Sequence, residues 1–255
     1  MAVLLLCVVC ANPSVQNTQQ PIWKIVGTLP DKQELDLLQE SLETGRKRIE
    51  HFFGKPFLNS FEVEVFPDRT VFDQYFAKRW KVPKTQSWMV ASGVGDKLTM
   101  LSRKVWKTQA SEHKPEDEPH YRELIGHELV HVYHGQRNPT GDFEGMDDLG
   151  WLVEGLAVYV SGQLDRSHRL AAQDAIRLGK GPRTLANAWS GKYRYGVCGS
   201  MVQWIDQKWG RASLDALMKV TRQEDAMKVL EISEKEFLIG WEQFVKMAQQ
   251  KTIVK

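Results

Sequence analysis

Hydrophobic residues fall at helical intervals from Leu35 through Leu38, Leu42 and Ile49 to Phe53. This predicts a long amphipathic helix that Pro30-Asp31 opens and Gly54-Lys55-Pro56 ends. A first strand is expected before it, over residues 22–29. The run Phe61-Glu62-Val63-Glu64-Val65-Phe66 alternates apolar and acidic residues, the two-residue period of a half-buried strand. Residues 71–80 return to helical spacing, with Phe72, Tyr75 and Phe76 on one side. Residues 88–91 and 97–102 read as two strands joined by the turn Gly93-Val94-Gly95-Asp96. The charged stretch 107–119 carries two prolines and predicts an exposed loop; His113 within it and His120 beside it are expected to face solvent rather than a ligand.

From Tyr121 onward the pattern is helical. A helix over residues 121–134 is stopped by Gly135, a Gly- and Asp-rich loop covers 138–148, and a strongly apolar helix follows over 151–160. Further helices are expected over 165–178, 194–209, 212–220, 225–230 and 234–248, the last opened by a capping box of Ser233 and Glu236. The fold class is therefore α+β within one globular domain. Its first lobe, residues 21–138, holds the strands, and its second, residues 139–255, is helical.

Composition narrows the function more than the fold. The 34 basic and 32 acidic side chains leave a net charge of +2, with no dense basic stripe, so nucleic-acid binding has no support. Residues 1–10 are an unbroken apolar run followed by a polar, Pro-containing segment. Residues 1–20 thus read as a secretory signal segment and linker with a cut after Ala11, although no positive charge leads the run. The competing readings are a buried N-terminal strand and a misplaced start codon. Export to the periplasm or beyond is the expectation, without lipid anchoring at Cys10, because Val9 is bulkier than the residue expected before a lipidated cysteine. No later segment approaches the ~20 apolar residues of a membrane span. Of the three cysteines, only Cys198 lies outside the signal segment, which excludes an internal disulfide and a cysteine zinc site in the processed chain. Its Gly-flanked setting suggests a structural role.

One stretch carries chemistry. Gly126-His127-Glu128-Leu129-Val130-His131 is an HExxH sequence in an apolar, helix-favouring run. Histidines four apart on a helix share a face and can reach one cation, while the glutamate beside the first can take a proton from water. A catalytic zinc needs a third protein ligand. Glu154 is the leading candidate, an ionisable residue in an otherwise apolar helix, where an unpaired carboxylate costs several kcal/mol. Asp142, Glu144, Asp147 and Asp148 are rivals in the Gly-rich loop. His134, one turn beyond His131, is either a partner orienting a ligand ring or a surface residue.

HELVH followed by WLVEGLAVYVSG resembles the gluzincin metallopeptidases, and more closely the peptidase MA-like metallohydrolases. FEVEVFPDRTVFDQYF, SGVGDKLTMLS and YGVCGSMVQWIDQKWG extend the likeness over residues 61–244. The resemblance implies a zincin fold with a thermolysin-like catalytic domain, and a zinc ion held by His127, His131 and Glu154 with Glu128 as general base. It also implies that Tyr195, with Tyr193 as the alternative, stabilises an oxyanion. The acid such enzymes place four residues after the glutamate ligand is replaced by Val158, so the residue orienting a histidine must come from elsewhere. The strand over 97–102 is expected to line the cleft and pair with an extended peptide. The expected activity is zinc-dependent peptide hydrolysis. The alternatives are a catalytically silent binding module of the same fold and a zinc hydrolase of a non-peptide substrate.

Overall fold

A computed structural model of the protein describes residues 22–28, 31–110 and 112–253. The expected signal segment lies outside them. Strand β1 (Trp23–Gly27) leads to helix α1 (Lys32–Phe53), whose start is fixed by Asp31 Oδ1 accepting the Glu34 N–H at 3.0 Å. Gly54 ends α1 in the left-handed conformation at φ 66°, which a residue without Cβ adopts freely. Leu38, Leu42 and Ile49 are fully buried, as their spacing predicts.

Strand β2 (Phe61–Phe66) buries Phe61, Val63 and Val65. Its acidic residues face the other way, and Glu62 and Glu64 share Lys97 at 3.2 and 2.9 Å. Helix α2 (Arg69–Trp80) follows, then the hairpin of β3 (Ala91–Val94) and β4 (Lys97–Leu101). The strands form one four-stranded sheet in the order β1-β2-β4-β3, parallel except for the β3–β4 hairpin.

The hairpin differs from the sequence expectation in two ways. Its turn is only Gly95-Asp96, and Gly93 belongs to β3 rather than to the turn. Gly93 is needed for close approach instead: a Cβ there would stand 2.2 Å from the Glu128 carbonyl oxygen and 3.0 Å from His131 Cβ. The strand expected to pair with a peptide, β4, is bonded on both edges by β2 and β3 and has no edge to offer. The sheet edge nearest the cleft is β3.

The stretch expected as a loop over 107–119 is helical at its start. Helix α3 (Trp106–Gln109) buries Trp106, whose indole donates to Leu101 O at 3.0 Å. Helix α4 (Glu118–Gly135) starts on Asp117, which caps the His120 N–H, with Pro119 in its first turn. Every residue from Ile125 to Gly135 is buried, so α4 runs through the centre of the molecule between the sheet and the helical lobe.

That lobe comprises α5 (Gly150–Ser161), α6 (Arg166–Arg177), α7 (Arg194–Trp209), α8 (Arg211–Leu217), α9 (Gln223–Leu230) and α10 (Glu234–Ile253). Helices α5 and α7 cross closely at Gly155, where a Cβ would lie 2.6 Å from Cys198 O. The capping box forms as expected: Ser233 N–H donates to Glu236 Oε2 at 3.0 Å, and Glu236 N–H to Ser233 Oγ at 3.3 Å. Among the described residues no helix is long and apolar enough to cross a membrane.

Candidate metal centre

Helix α4 presents His127 and His131 one turn apart, and the first turns of α5 bring Glu154 to them from the other lobe. The two Nε2 atoms are 3.1 Å apart. Glu154 Oε2 lies 3.3 Å from His127 Nε2, and its Oε1 lies 3.8 Å from His131 Nε2. These three side chains can hold a metal ion: one donor atom from each lies within 4.8 Å of the others. The rival loop carboxylates stay out of this group. Asp142 lines the adjoining cavity, Glu144 and Asp147 are exposed, and Asp148 accepts the Gln223 N–H at 3.0 Å.

The electrostatics fit a cation. Glu128 is buried beside the trio, so two carboxylates converge where water is scarce. Burial favours neutral His127, yet the hydrogen bond to Glu154 and the charges of Glu128 and Glu154 outweigh it and push this imidazole up to about 9. Its neighbour moves the other way: burial, and then repulsion from His127, hold His131 down to about 4. Two Nε2 atoms this close cannot both carry a proton. The proton retained on His127 therefore occupies the place of a positive charge that both carboxylates favour. Burial also raises Glu128 to about 7, opposed by His127 and by a hydrogen bond from the Gly93 backbone.

The residue that orients His127 comes from the turn after α5. Gln163 Oε1 lies 2.7 Å from His127 Nδ1. An amide oxygen can only accept, so Nδ1 carries the hydrogen and Nε2 is the lone-pair nitrogen of the neutral ring. The sequence offered no periodic or motif signal for Gln163, which sits in an irregular turn. Gly93 was equally hidden, since a glycine near a hairpin reads as turn chemistry. His131 has no such partner at Nδ1.

His134 neither orients a ligand ring nor lies on the surface. It is fully buried, 4.8 Å from the Phe143 ring, with both nitrogens unbonded, and burial holds it down to about 3. Cys198 is buried under the α5–α7 crossing, and burial pushes its thiol up, which suits a structural residue.

A cavity of about 670 Å³ opens beside the trio, within the size range of ligand pockets. Phe76, Trp80 and Trp88 line it from the sheet lobe, with residues 89–94 along its floor, and Trp189 and Tyr195 line it from the helical lobe. Of the two candidate tyrosines, Tyr195 lines the cavity and Tyr193 is not part of its wall. Burial raises the Tyr195 phenol, and the hydrogen bond and charge of Arg194 oppose that rise. His113 and His120 do not simply face solvent. Both line the cavity, His113 Nδ1 is 3.0 Å from His120 Nε2, and His113 Nε2 is 2.7 Å from Trp88 O.

No family model, curated protein or solved structure matches the chain.

Proposed function

We propose that the protein is a zinc-dependent metallohydrolase of gluzincin type, and that its reaction is hydrolysis of a peptide bond. The observation that carries the reading is the convergence of His127, His131 and Glu154 donor atoms within 4.8 Å, with Glu128 buried next to them. Nitrogen and carboxylate donors in a three-ligand set suit zinc in a catalytic site, where a fourth position is left for water or substrate. Zinc bound there supplies Lewis acidity, acidifying water and polarising a carbonyl.

The remaining chemistry belongs to the chain. Glu128, held near neutrality by burial, takes a proton from the attacking water and delivers it to the departing amine. Gln163 fixes the tautomer of His127. Tyr195, on the opposite wall, donates a hydrogen bond to the oxygen that gains charge in the transition state.

The substrate path runs along β3. Leu101 N–H bonds Val90 O, and the antiparallel alternation then turns the backbone groups of Ala91 and Gly93 away from β4. Gly93 packs directly against the Glu128 backbone. Ala91 is left to pair with an extended peptide laid across the cavity. A buried carboxylate base beside the trio favours an enzyme over a silent binding module, since a purely structural metal needs no base.

The test is digestion of a diverse peptide library by the purified protein, with and without chelator, beside Glu128→Gln. The reading expects chelator-sensitive cleavage, and a loss of about 10²- to 10⁴-fold in kcat for the variant with zinc retained. Undiminished cleavage by Glu128→Gln contradicts it. Cleavage of ester or other acyl substrates but no peptide redirects it to a non-peptide hydrolase.

A further inference from the structure

Arg194, the first residue of α7, holds its Nε buried without a hydrogen-bond partner. Its guanidinium is instead enclosed by aromatic faces. Cζ lies 5.5 Å from the ring centre of Trp88, 5.2 Å from that of Trp189 and 5.1 Å from that of Tyr195. All three rings line the cavity. Two come from the helical lobe and pack edge to face on each other at 4.9 Å. Trp88 comes from the segment leading into β3, where His113 Nε2 holds its carbonyl. One planar cation thus joins both walls of the cavity, a task suited to a guanidinium that stacks on aromatic rings.

The consequence falls on Tyr195. The guanidinium packed against the Tyr195 ring holds that ring on the cavity wall, and with it the phenol hydroxyl. Arg194 also acts on Glu154 through its charge, so it lies within electrostatic reach of the metal trio. We propose that Arg194 is a positioning residue: wedged among Trp88, Trp189 and Tyr195, its guanidinium fixes the Tyr195 ring, and so its hydroxyl, on the cavity wall beside His127, His131 and Glu154. The kinetic part of this proposal rests on the hydrolase reading; the structural part does not.

Two readouts test it on the full zinc-loaded chain. The first is the ¹³Cζ resonance of Tyr195 in protein labelled on tyrosine, assigned by its loss in Tyr195→Phe. Arg194→Met is expected to shift this resonance, with Arg194→Lys shifting it less. An unmoved resonance in both overturns the proposal, whether or not the protein cleaves anything. The second is a double-mutant cycle on the cleaved peptide. Arg194→Met is expected to lower kcat roughly 10-fold with KM changed less than about 2-fold, yet to cost less than about 2-fold when added to Tyr195→Phe. Equal losses in the two backgrounds show that Arg194 does not act through Tyr195, and overturn the proposal. If the wild-type chain cleaves no substrate, the hydrolase reading fails and the resonance alone decides. Should Arg194→Met fail to fold, Arg194→Lys carries the same readouts.

Discussion

At the scale of residues, the site depends on which atoms carry protons. His127 gives its Nδ1 hydrogen to Gln163 and presents Nε2 inward, while His131 has no such anchor. Gln163→Ala is therefore expected to weaken zinc binding by about 10- to 100-fold, as loss of an outer hydrogen-bond partner does at metal sites. Competition with a chelating indicator measures this, and unchanged affinity means that packing alone orients the ring. Gln163→Glu should keep most of the affinity, because a carboxylate also accepts from Nδ1. The ligands themselves were legible in the sequence because helix geometry converts a four-residue spacing into a shared face, and because a lone acid in the apolar α5 requires an explanation. Gln163 was not legible: nothing local in the turn after α5 states that it will meet a ring 36 positions earlier.

At the scale of elements, the site is set by how tightly β3 lies on α4. Gly93→Ala pushes a methyl into the Glu128 carbonyl, backbone against backbone, where neither side has a flexible end to yield. We expect this substitution to lower stability by about 1–3 kcal/mol, read from denaturant unfolding, and to lower turnover as β3 is pushed away from the turn of α4 that carries Glu128 and His131. A variant with native stability contradicts this packing. Helix positions survived translation from sequence to structure well. In α1 the apolar spacing, the Asp31 cap and the Gly54 stop all agree; α5 and α7 follow their apolar spacing with no side-chain cap, and α4 (Glu118–Gly135) begins ahead of the expected Tyr121 and takes in Gly135. The hairpin fared worse, since Gly93, Gly95 and Asp96 look alike as turn formers. Only the packing against α4 assigns Gly93 to the strand, and only the sheet order makes β3, not β4, the edge.

At the scale of the whole molecule, burial of histidines couples stability to pH. His113 and His134 are both held below the ordinary imidazole value, by burial first. The unfolded chain therefore takes up protons near its unperturbed value of about 6.5 that the folded chain refuses. The stability tied to neutral His113 and His134 is present above that pH and is lost as pH falls below it. Unfolding free energies measured at pH 7.5, 6.5 and 5.5 should decline on the acid side, and His113→Gln should flatten part of that decline. An unchanged slope means that His113 is as easily protonated folded as unfolded. The molecule as a whole also decides that the metal trio exists: two ligands ride on α4 and the third arrives on α5, so the site forms only when the two lobes close on each other.

The most direct measurement is the divalent-metal content of the purified chain after zinc loading and removal of free ion. One zinc per chain is expected, retained by Glu128→Gln and lost in Glu154→Ala. A chain that binds no divalent metal stoichiometrically, or that binds it equally well without Glu154, contradicts the proposed centre.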